Sequence, residues 1–259
     1  MKAGTQRSLG RLVGIMLIIV VTGLIVARSY YGNMNRSVDP RIQHARELYE
    51  LYDRYARTGD YYRIFTLLDT ISEIYMSIPH YEKSFELGVL HNNRAAAMLT
   101  IALYQDSIPD SSNPFHFLSA DSIVNMAAYE VVTAISQYEA WNERFEGKEE
   151  EEIGIMIRQE FLNGLETTYP EMSEKYLKNR VKEIENATVE NARRLSVCHT
   201  NLGLVYRYRG DYKNAVVEYE LAMTLWDQNL DAENNLNKLL NKPIRKRNFI
   251  QKMFPPKKK

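Results

Sequence analysis

The sequence predicts an all-α chain, a solenoid of helical hairpins preceded by one membrane-spanning helix. Three observations carry that expectation. Beyond residue 40 the apolar residues recur at three-and-four spacing, the period of helices with one buried face, and no stretch alternates as a strand would. Residues 12–27, LVGIMLIIVVTGLIVA, run for sixteen positions without a charge. The tripeptide Gly-Asp-Tyr occurs twice, at Gly59-Asp60-Tyr61 and at Gly210-Asp211-Tyr212, each time between two helical stretches. A glycine there can end a helix in the left-handed geometry that other residues avoid.

Composition and charge bound the function. With 259 residues, 45% apolar and 25% charged, the chain has ordinary globular content, and 12 Gly and 8 Pro are too few for a collagenous or wholly disordered chain. The single cysteine, Cys198, excludes an intrachain disulfide and any zinc site built on several thiolates. The net charge of zero is unevenly spread. The first 28 residues hold four bases and the last 18 hold eight, all without an acid, so the body at 29–241 carries 21 bases against 33 acids. Such an acidic body argues against nucleic acid as the partner, since a nucleic-acid-binding face is basic.

Residues 1–11 read as a cytoplasmic N-terminus and 12–28 as a transmembrane helix or signal anchor. Sixteen uncharged residues span roughly 24 Å as a helix, short of a hydrocarbon core of about 30 Å. Arg11 and Arg28 close the difference by snorkelling, and Tyr30 and Tyr31 suit the interface. The competing reading is a cleaved signal peptide. It would place bulky Ile25 three residues before a cut at Ala27, so the sequence favours an anchor. Bases are slightly denser before the span than after it, which puts the N-terminus inside and the body outside the cytoplasm, in the periplasm if the cell is bacterial.

Residues 40–104 read as degenerate repeat-like helices. Leu48, Leu51, Tyr55, Ile64, Leu68 and Ile71 pack around the first Gly-Asp-Tyr turn, and a third candidate hairpin pairs Leu87, Gly88 and His91 with Ala134, Tyr138 and Trp141. Residues 105–118 are a loop insertion rich in Asp, Pro, Ser and Asn. Residues 119–195 form an irregular helical region. It includes the acidic run Glu149–Glu152, suited to a helix N-terminus, and a break at Thr167-Thr168-Tyr169-Pro170, where the proline starts the next helix.

Residues 196–241 carry the most specific pattern. Leu202-Gly203, Tyr206, Gly210, Tyr212, Ala215, Tyr219 and Ala222 stand at spacings that resemble the tetratricopeptide repeat (TPR), a helix-turn-helix unit of about 34 residues. Gly203 and Ala215 let two helices approach, Tyr206 and Tyr219 fill the contact, and the next unit reduces to a single cap helix around Leu236 before Pro243. His199 stands where the family often has Trp and Asp227 where it often has Pro. The resemblance implies a concave groove for a protein or peptide partner, lined in this unit by Asn201, Leu204, Val205 and Tyr208.

No enzyme signature is present. The chain lacks a glycine-rich phosphate loop, a His-Glu-x-x-His pair, a Cys-x-x-Cys pair and a Gly-x-Ser-x-Gly turn, so no catalytic, cofactor or metal residue is assigned. Cys198 and His199 are helix neighbours that point apart, which makes a packed cysteine the better reading. His44, His80, His91 and His116 offer no metal spacing. The expected function is a membrane-anchored scaffold for protein–protein interaction in an envelope assembly, and the alternative is an enzyme or regulator whose active part is the non-repeat region 105–169. The basic tail 242–259, with Ile244, Phe249, Ile250, Met253 and Phe254 among its eight bases, reads as a solvated end or as a contact for anionic lipid.

Overall fold

In the computed structural model the described residues, 38–246, form nine α-helices and no strand. They are α1 (Gln43–Thr58), α2 (Tyr61–Met76), α3 (Phe85–Leu103), α4 (Ala120–Phe145), α5 (Glu150–Leu162), α6 (Leu165–Thr168), α7 (Ser173–Tyr208), α8 (Tyr212–Leu225) and α9 (Leu230–Leu239). The expected membrane segment, 12–28, and the tail beyond Lys246 lie outside the described residues. Among the described residues no helix is long and apolar enough to cross a membrane.

The two Gly-Asp-Tyr tripeptides make the same turn. Gly59 (φ 72°) ends α1 with its N–H on the Tyr55 carbonyl at 2.9 Å, and Gly210 (φ 74°) follows α7. In both, the aspartate starts the next helix, Asp60 accepting from the Arg63 N–H and Asp211 from the Asn214 N–H, each at 3.2 Å. These side chains satisfy amide donors that a helix start leaves open. The tyrosines differ: Tyr61 is partly buried, but Tyr212 is 59% exposed and does not fill the repeat contact expected of it. It follows the capping aspartate on the outer side of α8, and the contact is filled by Ala215, Tyr219 and Ala222, all fully buried.

Two hairpins share one packing device. A Cβ on Gly203 would lie 2.5 Å from Tyr219 Cε1, and one on Gly88 would lie 2.9 Å from Tyr138 Cε1. Only glycine lets these helix backbones come so close to the facing tyrosine rings, both of them buried. Ala134 and Ala215 stand four residues before those tyrosines and are fully buried too. α1 and α2, α3 and α4, and the C-terminal half of α7 with α8 thus pair as antiparallel hairpins, and α9 covers the last of them with Ala232 and Leu236.

The interior departs from a plain array. α7 is a single 36-residue helix that passes through residue 196 unbroken, so the expected boundary between an irregular region and a repeat unit is a point inside one helix. Its first half packs on α5 and its middle on α4. The break before it involves Asn163-Gly164 and the turn at Tyr169–Met172; Pro170 lies in that turn and the helix begins at Ser173, not at the proline. The 105–118 insertion is folded. Two 3₁₀ turns, Gln105–Ser107 and Asp110–Ser112, bring Phe115 onto Phe65 with ring centroids 4.8 Å apart, and Asn113 is buried with its Oδ1 accepting from the Phe115 N–H at 2.9 Å.

Asn229, before α9, ties three helices. Its Oδ1 accepts from the Ala232 N–H at 3.0 Å, and its Nδ2 donates to Ser196 Oγ at 2.8 Å and Thr200 Oγ1 at 2.9 Å. Ser196 Oγ in turn donates to the Ala222 carbonyl of α8 at 2.6 Å. Beyond α9 the chain returns along it: the Asn234 side chain donates to the Arg245 carbonyl at 3.0 Å and accepts from its N–H at 2.7 Å.

Candidate functional site

α3 and the C-terminal half of α7 run in the same direction where they meet, Phe85 facing Arg194 and Asn92 Oδ1 accepting from Asn201 Nδ2 at 2.8 Å. Beyond that amide pair the three-and-four rows Ala96-Thr100-Leu103 on α3 and Asn201-Leu204-Tyr208 on α7 line a shared concavity, to which α9 adds Asn235 and Lys238. The result is an open cleft of about 530 Å³. Leu99, Leu103 and Leu204 give it an apolar floor, Asn201 and Asn235 contribute amides, and Arg207 and Lys238 stand at its edge. Neither cation forms an ion pair among the described residues. Burial and then the Asp121 carboxylate beside it raise the Tyr208 hydroxyl above its ordinary pKa.

Three of the four expected groove residues, Asn201, Leu204 and Tyr208, therefore line this cleft. Val205 does not. It is fully buried among Phe65, Met98 and Val124, because one step along the helix turns the side chain by about 100°, off the cleft row and into the core. Of the repeat-packing residues, Gly203, Ala215, Tyr219 and Ala222 meet at the α7–α8 contact, Tyr206 is partly buried beside it, Leu202 packs instead against the interior on the other side of α7, and Gly210 makes the turn.

A second concavity, of about 420 Å³, opens between α1, α2, α3 and α7. Tyr49, Tyr75, Phe85, Val89 and Leu90 form apolar walls, and Arg46, Glu86 and Arg194 bring charge to it. Behind Glu86 lies a buried network. The Arg180 side chain is 2% exposed and donates to both Glu86 oxygens, at 2.6 and 3.2 Å, and to Glu183 Oε2 at 3.2 Å. Its Nε donates to His80 Nε2 at 3.0 Å, which makes that nitrogen an acceptor, and its guanidinium lies 4.4 Å from the Tyr81 ring centroid. Burial acts to raise the Glu86 carboxyl, but the Arg180 charge and its hydrogen bonds outweigh it and hold the group at about 2. Burial pushes the His80 imidazole down to about 3, and the Arg180 charge adds to the effect.

Two of the remaining histidines face carboxylates, and the cysteine is in the core. His91 Nδ1 meets Glu130, which also accepts from Arg94 Nε at 2.9 Å, and His199 Nδ1 lies 2.7 Å from Glu218 Oε2. Cys198 is fully buried, and burial pushes its thiol up to about 12, so it is protonated at neutral pH. Among the described residues no group of three or more His, Cys, Asp or Glu could hold a metal ion. No protein-family profile, curated protein or solved structure matches the chain.

Sequence reasoning missed Arg180, Glu86, Arg194 and Asn229. Arg180 had a signal: with Tyr176, Leu177, Val181 and Ile184 it falls on the buried face of α7, and a base in an apolar row needs a buried acid. Arg194, Arg207 and Lys238 had none, since a surface base and a cleft base look alike in sequence.

Proposed function

We propose that the chain is a membrane-anchored, TPR-like scaffold that holds a segment of a partner protein in the cleft between α3, α7 and α9. The observation that carries the reading is the cleft itself. It joins an apolar floor to two cations without acidic partners, on a body that is acidic overall, and this suits a partner segment that combines apolar side chains with carboxylates. The repeated glycine–tyrosine contacts, the matching Gly-Asp-Tyr turns and the capping α9 support the likeness to the repeat family. The uncharged stretch at 12–27 supports the anchor, which sets the body at the membrane surface and, by the flanking bases, outside the cytoplasm.

The test is site-specific photo-crosslinking in cells from position 104, since Tyr104 lines the cleft and is 61% exposed. Adducts are identified by mass spectrometry for the native chain and for Leu204→Glu, which puts a carboxylate on the floor. A defined protein adduct lost in the variant supports the scaffold. Identical adducts from both chains, or none from either, would refute it.

A further inference from the structure

We propose that the pocket between α1, α2, α3 and α7 is a binding site for a monocarboxylate carried on an apolar or aromatic body. It is separate from the α3–α7–α9 cleft and stands independently of the scaffold reading. The argument begins with charge. Four of the charged groups at or just behind this pocket cancel in pairs, Arg46 with Glu183 and Glu86 with Arg180. Arg194 remains. It forms no ion pair among the described residues, and its guanidinium lies 5.1 Å from the Phe85 ring centroid, a position in which one face is stripped of water. Burial raises Tyr49, Tyr138 and Cys198 beside it, so these three are neutral; Arg194 also donates a hydrogen bond to the Tyr138 hydroxyl, and Tyr49 feels the Asp53 carboxylate as well as the Arg194 charge.

A partly buried guanidinium with an aromatic ring on one side, no ion-pair partner and one hydrogen bond to a neutral phenol keeps further donors in a fork that matches a carboxylate. One uncompensated positive charge calls for one negative charge. A phosphate dianion would bring a second, against the Glu86 carboxylate in the same wall. The walls then define the rest of the ligand. Tyr49, Tyr75, Phe85, Val89 and Leu90 are mostly apolar surface that buries an aliphatic or aromatic group, and about 420 Å³ lies in the size range of small-ligand pockets. The shared chemistry has two sources, a free hydrophobic carboxylic acid or the terminal carboxylate of a polypeptide ending in an apolar residue.

The experiment uses the full chain and two pairs of probes followed by titration calorimetry: 3-phenylpropanoate and 3-phenylpropanamide, and N-acetyl-Ala-Ala-Phe with a free or an amidated terminus. Each acid should bind at least tenfold more tightly than its amide. Arg194→Gln should remove that preference, so that acid and amide bind alike, and Arg194→Lys should keep part of it. Tighter binding of the free acid assigns the site to a small molecule, and tighter binding of the peptide acid assigns it to a chain terminus. Equal affinity of acid and amide, no binding of any probe at millimolar concentration, or an unchanged preference in Arg194→Gln would overturn the proposal. Should the glutamine variant lose its helical circular dichroism, the acid–amide comparison on the native chain decides.

Discussion

Replacing Gly203 by alanine tests whether the α7–α8 contact is as tight as its geometry requires. The new methyl would stand 2.5 Å from Cε1, 2.7 Å from Cδ1 and 3.0 Å from Cζ of Tyr219, a ring with no exposed surface to swing into. The helices must therefore part or the ring must leave its rotamer, at a cost of about 1–3 kcal/mol for overpacking. Alanine's better helix propensity returns about 1 kcal/mol. The upper part of the overpacking range applies because the obstacle is the body of a buried ring, so the net loss is about 1–2 kcal/mol, or a fall in Tm of roughly 2–8 °C for a body of this size. Thermal melting followed by far-ultraviolet circular dichroism measures it. Gly154→Ala is the internal control, because its Cβ would meet only Val181 Cγ2 at an ordinary 3.7 Å; that variant should gain about 0.5–1 kcal/mol. Trimming the ring in Gly203→Ala/Tyr219→Leu should cost less than the sum of the two single changes. A Gly203→Ala chain that melts as high as Gly154→Ala would refute the close-approach argument.

Asn229→Ala should lower stability by about 2–3 kcal/mol in chemical denaturation, combining the lost helix cap with the unpaired Ser196 and Thr200 groups it leaves buried. Arg180→Met should cost about 3–5 kcal/mol at neutral pH, since Glu86 is left without its counter-charge, and a chain as stable as the native one would show that Arg180 does not hold the network. The native chain should weaken steadily in acid. His80 and Glu86 both have folded pKa values below their unfolded ones, so the unfolded chain binds more protons and stability falls as pH drops, first through the window from 6.5 to about 3 for His80, then from 4.5 to about 2 for Glu86. Denaturant midpoints taken across that range should decline, and a flat profile would contradict the network. Cys198 should resist thiol reagents in the folded chain and react only at the rate of global unfolding, which a colorimetric thiol assay reads directly.

The helices and their hairpin pairing were legible because the signals are local. A glycine ends α1, Gly210 follows α7, and the row Leu87-Gly88 on α3 with Ala134 and Tyr138 on α4 showed a contact across a long insertion. What was not legible depends on three-dimensional neighbours. The 105–118 segment reads as turn formers, and only Phe65 on α2 gives Phe115 a place to pack. The continuity of α7 past residue 196 was hidden because the repeat pattern sets a start there, while nothing in Glu190 to Ser196 breaks a helix. For the cleft, position in the repeat led to Asn201, Leu204 and Tyr208 but also to Val205, which the real helix rotation turns inward. The second pocket was invisible because its residues come from four helices and carry no common spacing.

The long α7 changes how the body can come apart. At about 1.5 Å per residue it is roughly 54 Å long, and it serves α5 at one end and α8 and α9 at the other. An array of separate hairpins can peel its last unit and keep the rest, because each unit contacts only its neighbours. Here the last hairpin and the interior share one uninterrupted backbone. Stripping away α8 and α9 would bare Gly203 and Ser196 on a helix still rooted against α4 and α5. Loss of the last hairpin would therefore leave α7 in place on α4 and α5 with one face open, and not simply a shorter array.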